Sequence, residues 1–173
     1  GNGSKRVAVL DAAKPYIIAA LYHSLRLPML VVTAQPENSK KLYEQLSIWS
    51  NSQGVKLLPE PDNLPYERIV SDASTELDKI QVLSALAKNE PTADAPLVVS
   101  SVLAFMWKIT SYRDFTSACH SVNVRMTVEP YELLNKWQTM GYRMESMVEV
   151  PGTISHRGGI IDIYPSTSDS PAR

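Results

Sequence analysis

The sequence has very little cysteine: Cys119 is the single thiol among 173 residues. One thiol cannot form an intramolecular disulfide, which excludes the small secreted domains that depend on a disulfide framework. Long apolar runs are also missing, since no stretch approaches the ~20 apolar residues of a membrane-spanning helix. The first residues, Gly1 to Ser4, contain neither an initiator Met nor an apolar signal-peptide core. We therefore expect a cytoplasmic protein without membrane association, and either an excised fragment or a short cloning scar at the start.

An excess of charge of one sign is the next absence. Lys and Arg number 17 and Asp and Glu number 18, so the net charge is close to zero. A strongly basic face for nucleic acid is therefore not implied, although a local basic patch is compatible with this balance. Hydrophobic residues make up 44% of the chain, as in an ordinary globular protein.

Short apolar runs alternate with helical periodicity in the front part of the chain. The runs predict buried strands at 7–10, 29–33, 55–58 and 97–99. Helices are predicted between them, starting at Asp11 as N-cap with Pro15 in the first turn, then over 37–49 and 74–88. This order predicts an α/β domain over residues 1–110, with a parallel, right-handed, doubly wound sheet and helices on both faces.

The pattern changes after residue 110, where we expect a boundary and a small α+β domain over 111–173. Residues 123–128 alternate like a half-exposed strand, and 130–140 predict an amphipathic helix that ends at Gly141. The pair Pro151 and Gly152 predicts a hairpin between strands at 145–150 and 153–156, with a last strand over 159–164. Residues 166–173 are predicted to be frayed, and the domain to be truncated at its C-terminal end.

The turn after the first predicted strand decides whether this fold could bind a nucleotide. Nucleotide-hydrolysing domains have a glycine-rich loop there, with backbone N–H groups around the phosphates and a Lys followed by Ser or Thr. This chain has Asp11, Ala12, Ala13, Lys14 and Pro15 instead. No glycine is present, proline removes an N–H, and the aspartate would repel phosphate. We therefore expect a degenerate nucleotide-binding-like domain with no cofactor and no catalytic site.

Other catalytic or metal-binding patterns are weak. His23, His120 and His156 lack metal-ligand spacing, and the adjacent Cys119 and His120 point in different directions. Asp162 lies in an otherwise apolar strand, where we expect it to pair with a nearby arginine or to cap backbone groups. The proline-rich loop 58–68 predicts a stiff surface connector with a solvated acidic face, with paired carboxylates in Glu60, Asp62 and Glu67 left as an alternative.

The most informative block is Arg-Gly-Gly-Ile-Ile-Asp-Ile-Tyr-Pro at 157–165, which follows Gly141 and Tyr142 at a short distance. It resembles the segment shared by UvrB and the transcription-repair coupling factors, and the Leu-Pro-Tyr loop at 64–66 is similar to a loop of the same family. The resemblance extends from the first predicted strand to Pro165. UvrB keeps a phosphate loop and a long DNA-gripping hairpin, whereas this chain has neither. It therefore resembles the coupling factors more closely.

The resemblance implies a docking role for the small domain, which in this family binds UvrA and brings the excision-repair machinery to stalled RNA polymerase. By motif, the arginines that face UvrA correspond to Arg143 and Arg157. Both have a structural role as the alternative, which for Arg157 is pairing with Asp162 or with a neighbouring strand. Ile160 and Tyr164 are candidates for apolar contacts in the same patch, with a core role for Ile160 as the alternative. A further arginine of UvrB corresponds to Ser155, so one charge-assisted contact is missing here.

The resemblance also implies what the chain lacks. ATP and Mg²⁺ are expected only in translocase domains outside this chain, RNA polymerase and DNA are expected to bind through other missing domains, and one such domain is expected to mask the UvrA-binding face. Two other interpretations stay open. One is a fragment of a UvrB-type ATP-dependent DNA repair helicase, and the other is a DNA-binding module that uses Lys40, Lys41, Arg68 and Arg113.

Overall fold

A computed structural model describes residues 3–50, 54–61, 73–87, 95–168 and 170–173. The chain forms two compact units, one with residues 1–78 and 88–107 and the other with 79–87 and 108–173. The predicted α/β class is confirmed, because the first unit has a parallel sheet and the second a mixed sheet. The two units do not follow a single cut along the chain, and the boundary at residue 110 stays a prediction. Within the described ranges, no helix is long and apolar enough to cross a membrane.

The first unit is built around a parallel sheet of three strands. In chain order its elements are a 3-10 turn (Asp11–Ala13), α1 (Lys14–Leu25), β1 (Met29–Thr33), α2 (Pro36–Trp49), β2 (Val55–Leu57), the start of α3 (Ala73–Ala87), β3 (Leu97–Ser101) and α4 (Val102–Met106). The strand order is β1-β3-β2, and Leu97 pairs with Met29 on one side and with Val55 on the other. The middle strand β3 is buried along its whole length, as its continuous apolar run predicts.

The core of this unit joins α1 and α2 to the sheet. Its buried side chains are Ala19, Tyr22, Leu46, Val55, Leu97 and Val99. The Tyr22 hydroxyl donates to the Ala95 carbonyl at 2.6 Å, so the polar end of this ring is satisfied inside the core. On the edge strand β1, Met29 and Val31 face the core while Leu30 and Val32 point away and are exposed.

The predicted first strand at 7–10 is wrong. Residues 3–10 have no regular structure, and Val7 and Leu10 are exposed. An apolar run favours burial, but a strand also needs a neighbour for its backbone N–H and C=O groups. No described strand pairs with this segment.

The start of α1 also differs from the prediction. Asp11 does not cap the helix; instead the Leu10 carbonyl accepts the N–H of Ala13 at 2.9 Å, and the Asp11 carboxylate binds the Lys14 ammonium at 2.5 Å. The ammonium is a stronger partner for the carboxylate than a backbone N–H. Pro15 lies in the first turn, as predicted.

The second unit packs one helix against a mixed sheet. Its elements from residue 108 onwards are α5 (Tyr112–Ala118), α6 (Pro130–Thr139), β4 (Arg143–Met144), β5 (Thr153–Arg157) and β6 (Ile160–Tyr164). The order is β4-β5-β6, with β4 parallel and β6 antiparallel to β5. Leu133, Leu134 and Trp137 of α6 pack against Ile154, and Ile161 and Ile163 line the same contact. The amphipathic pattern of α6 therefore decides which side of the sheet packs against the helix.

The ends of α6 have clear causes in the sequence. The Glu129 carboxylate accepts the N–H of Glu132 at 2.7 Å, which caps the N-terminus. Gly141 adopts a φ of 97°, and the N–H groups of Gly141 and Tyr142 donate to the carbonyls of Gln138 and Trp137. This is a Schellman motif, which satisfies the last carbonyls and turns the chain into β4.

Three predictions for the second unit are wrong. Residues 123–128 are exposed and contain a turn instead of a strand. The hairpin is formed by β5 and β6 around Gly158 and Gly159, while 145–150 form a loop that returns from β4 to the parallel strand β5. The tail 166–173 is not frayed where described, because Ala172 and Ile163 exchange backbone hydrogen bonds of 2.7 and 2.9 Å. The free edge of β6 gives this polar tail a partner that composition does not reveal.

Candidate docking face on the small sheet

The register of the small sheet sorts its side chains into two sides. Paired residues point to the same side of a sheet, and successive residues alternate. Arg143 pairs with Thr153, Thr153 with Tyr164, and Arg157 with Ile160. All of these residues therefore share one side, opposite the isoleucines that pack on α6. We call the side that carries Arg143, Arg157, Ile160 and Tyr164 the arginine face.

The loop 145–152 covers the middle of the arginine face. The Thr153 hydroxyl donates to the Val150 carbonyl at 2.6 Å, and the Ser155 hydroxyl donates to the Ser146 carbonyl at 3.1 Å. Both side chains are buried. Ser155, which the resemblance aligns with an additional arginine of UvrB, is therefore a buried residue that holds the loop. A longer side chain at this position would have to displace the loop.

A buried carboxylate lies beside the exposed end of this face. The Asp162 side chain is only 9% exposed, and its Oδ2 accepts from Nη2 of Arg157 at 3.3 Å. Arg173 donates to both carboxylate oxygens, from Nε at 2.7 Å and from Nη2 at 3.2 Å. The bonds from Arg173, and then from Arg157, hold the pKa of Asp162 below its ordinary value, although burial acts in the opposite direction. The prediction that Asp162 pairs with a nearby arginine is confirmed.

The two predicted docking arginines are both accessible. Arg157 keeps 60% of its side chain exposed despite its ion pair, so pairing within the domain and exposure to a partner are compatible. Arg143 is exposed on β4, and its side chain forms no hydrogen bond or ion pair with any described residue. Ile160 is 46% exposed at the hairpin tip, and Tyr164 is half-buried. The structure thus brings the four residues to one side, while their role in docking stays a prediction.

The sequence prediction missed Arg173. Its motif ended at Pro165, and the following segment is rich in serine and proline, which favours a loop. One signal was available: an aspartate within an apolar strand needs a charged partner when buried. That signal applies to every arginine near Asp162 in the sequence, to Arg173 as well as to Arg157.

Residues 11–15, the segment compared with a phosphate loop, do not connect a strand to a helix as predicted. Asp11, Ala12 and Ala13 form a 3-10 turn, residues 3–10 before it contain no strand, and Lys14 and Pro15 begin α1. The Lys14 ammonium is bound to Asp11, and it holds the pKa of this carboxyl below its ordinary value. Without a preceding strand, the segment has no sheet position to compare with a phosphate loop. That it binds no nucleotide stays a prediction.

The carboxyl end of β3 carries a local network. The Ser101 hydroxyl caps α4 by accepting the N–H of Ala104 at 3.0 Å, and it donates to the Glu60 carboxylate. Glu60 is therefore engaged by a strand end and is not simply a solvated loop residue. Asp62, Glu67 and the Leu-Pro-Tyr loop at 64–66 lie outside the described residues.

The remaining candidate side chains have structural contacts or are dispersed. His120 accepts from the Trp137 indole N–H at 3.3 Å, His156 contacts the Tyr131 ring edge-on at 5.6 Å, and Cys119 is exposed. The structure as described contains no group of three or more His, Cys, Asp or Glu side chains that could hold a metal ion.

The described basic residues that were named for DNA binding belong to two different units. Lys40 and Lys41 are exposed on α2 of the first unit, whereas Arg113 is exposed on α5 of the second. Arg68 lies outside the described residues.

Comparison with known proteins points to the same region. Residues 121–173 match the model of the UvrB interaction domain family. The chain is 28% identical over 162 residues to the transcription-repair-coupling factor of Bacillus subtilis (strain 168), which covers 94% of this chain and 13% of that protein. The factor of Myxococcus xanthus is 28% identical over 179 residues, covering 100% of this chain and 15% of the relative. That of Staphylococcus haemolyticus is 29% identical over 156 residues, covering 89% and 13%.

These matches confirm the resemblance found in the sequence. The resemblance to the coupling factors covers nearly the whole chain, and the match to the UvrB interaction domain covers the part that contains α6 and the small sheet. The chain spans 13–15% of the length of these curated relatives.

Proposed function

We propose, from its similarity to the UvrB interaction domain and to transcription-repair-coupling factors, that this chain is a recruitment module whose arginine face binds UvrA. Through this contact it would bring the excision-repair machinery to a stalled RNA polymerase. The observation that carries the proposal is the register of β4, β5 and β6. It aligns Arg143 and Arg157 at the two exposed ends of one side of a sheet whose other side is packed on α6.

The chemistry of this face suits a protein partner. Arginine pairs with carboxylates through a planar fork, and it is enriched among the residues that dominate binding energy. Asp162 already restrains the Arg157 side chain, so less conformational entropy is lost when a partner binds. Ile160 and Tyr164 add apolar surface beside the charges. A mixture of arginine, aromatic and apolar groups is typical of the centre of an interface.

In this proposal the chain acts through its surface and catalyses no reaction. ATP hydrolysis, contact with DNA and contact with RNA polymerase would belong to other parts of a longer protein, in keeping with the 13–15% of the relatives that the chain spans. Another domain of that protein would cover the arginine face until recruitment is needed.

Calorimetric titration of this chain into purified UvrA tests the proposal. We expect a Kd in the micromolar range or tighter, and Arg157→Ala to raise that Kd by about five- to thirtyfold, as the loss of an interface arginine does. Arg143→Ala should act in the same direction. Arg113→Ala is the matched control, because Arg113 is an exposed arginine of the same unit that lies on α5. Absence of binding at tens of micromolar, with the chain folded by circular dichroism, would refute the proposal.

A further inference from the structure

A second arginine reaches the buried carboxylate of Asp162 from the last described segment. The backbone bonds between Ala172 and Ile163 hold this segment beside β6. Ala172 therefore shares the side of Ile163, and the next residue, Arg173, falls on the arginine face. Its guanidinium group binds Asp162 through two nitrogens, while 67% of the side chain remains exposed.

The geometry leaves donors available on both guanidinium groups. Arg157 uses one nitrogen on Asp162 and Arg173 uses two, and a guanidinium group has further N–H donors beyond these. Within the described part of the chain, neither guanidinium group has a partner other than Asp162. A single buried carboxylate thus fixes two arginine side chains, each of which is exposed over more than half of its surface.

We propose that Arg173 is a third docking residue of the arginine face, and that Asp162 is the positioning residue that sets Arg157 and Arg173 to receive carboxylates from an acidic surface of the partner. The inference rests on the proposed function, because it takes UvrA as the partner and adds residues to the face that binds it. It adds a residue that lies outside the Arg-Gly-Gly block and a role for the aspartate within it.

The observations favour a protein surface over nucleic acid as the occupant. Ile160 is exposed on the same side, and Tyr164 lies on it as well, so an apolar contact accompanies the charges. Glu145 follows β4, continues its alternation onto the arginine face and is exposed. Its carboxylate would repel a phosphate backbone. The chain as a whole carries a net charge of -1, without the excess of basic residues that phosphate binding uses.

The first test measures UvrA affinity for substitutions of Arg173 in this chain. We expect Arg173→Ala to raise the Kd by about five- to tenfold, the effect of losing one charge-assisted interface contact. Arg173→Gln serves if the alanine variant is poorly folded, because the amide can still donate to Asp162 but carries no charge. Arg173→Lys should give an intermediate Kd, since it keeps the charge and loses the fork. The unchanged reference is again Arg113→Ala.

The second test separates positioning from charge. Asp162→Asn removes a negative charge from the face, so an arginine face that acted by net charge alone would bind an acidic partner more tightly. If Asp162 positions the two forks, the same substitution should weaken binding, by about as much as Arg173→Ala. Because affinity is measured at a temperature where each variant is folded, a purely structural role would lower the unfolding midpoint and leave the Kd unchanged.

The outcomes distinguish this inference from the proposed function. If the unaltered chain does not bind UvrA, both fail. If Arg157→Ala weakens binding but the Arg173 variants bind like Arg113→Ala, the assignment of Arg173 alone is overturned. Tighter binding by Asp162→Asn would overturn its positioning role. If the Arg173 variants instead lose affinity for a short DNA duplex and keep that for UvrA, the partner class is wrong.

Discussion

The two sheets of this protein differ in how much of each sheet is exposed to a partner. In the parallel sheet the middle strand β3 is buried on both sides, and its polar residues Ser100 and Ser101 are satisfied internally by a carbonyl, by Glu60 and by the start of α4. In the small sheet, α6 packs against one side, and the other side carries arginines whose side chains are largely exposed. The exposed ends of β4 and β5 retain chemistry for a partner, whereas a strand that is buried along its whole length contributes mainly stability.

The largest expected effect is the loss of stability when one core side chain in each unit is truncated to alanine. Trp137→Ala should lower the free energy of unfolding of the small unit by about 3–5 kcal/mol, and Leu46→Ala that of the first unit by about 2–5 kcal/mol, because each leaves a cavity in a buried cluster. Chemical denaturation followed by tryptophan fluorescence and circular dichroism measures both.

The two truncations should differ in their effect on UvrA binding. Trp137 supports the sheet from behind, so its loss should impair the arginine face, while Leu46→Ala should leave the Kd unchanged wherever the chain is folded. Loss of UvrA binding in the folded Leu46→Ala variant would break the comparison, because it would make the first unit part of the docking surface.

The hairpin turn that carries the arginine face gives a smaller effect. Gly158 has a φ of +60° and Gly159 does not have a positive φ, while a Cβ would meet nothing within 4 Å at either position. Positive φ only at the first central residue matches a type II′ turn. Gly158→Ala should therefore destabilise the chain by about 1–2 kcal/mol through backbone strain.

Gly159→Ala is the control for this substitution, since it adds the same methyl group without the strain, and its unfolding midpoint should stay close to that of the unaltered chain. Equal midpoints for the two variants would mean that the turn relaxes freely. The turn would then not fix Arg157 and Ile160 at the tip.

Continuous or strongly periodic patterns allowed most of the fold to be predicted. The strand at 29–33 coincides with β1, and the helices over 37–49, 74–88 and 130–140 correspond to α2, α3 and α6 within one residue at each end. In α1 the position of the helix was predicted but not its buried side. Ala19 and Tyr22 are buried, whereas Leu21 and Leu25 are exposed. Several neighbouring apolar residues leave the direction of the helix undecided until its partner is known.

The predictions that failed depended on partners distant in sequence. Residues 7–10 and 145–150 have strand-like composition, but pairing decides whether a strand forms, and composition does not specify the neighbour. For the candidate site, the position of Arg143, Arg157, Ile160 and Tyr164 on one side required the register of three strands. The link between Asp162 and Arg173 required a tail that folds back along β6. A motif restricted to 141–165 could not contain that link.

The smallest expected effect concerns the pH dependence of stability at two aspartates, one in each unit. Asp162 is buried and bonded to two arginines, whereas Asp11 has an exposed pair with Lys14. Both carboxyls have a pKa below the ordinary 3.8 in the folded chain. A lowered pKa contributes stability that is present above the ordinary value and is lost as the pH falls through the folded one.

Comparing the free energy of unfolding of Asp162→Asn and Asp11→Asn with that of the unaltered chain, from pH 7 downwards, measures these contributions. The deficit of Asp162→Asn should be constant at neutral pH and should shrink once the pH falls below the ordinary 3.8. Asp11→Asn should show the same direction with a smaller deficit, because solvent screens an exposed pair. An equal or larger deficit for Asp11→Asn would show that burial does not strengthen the Asp162 bonds, and that this carboxylate is too weakly held to position two arginines.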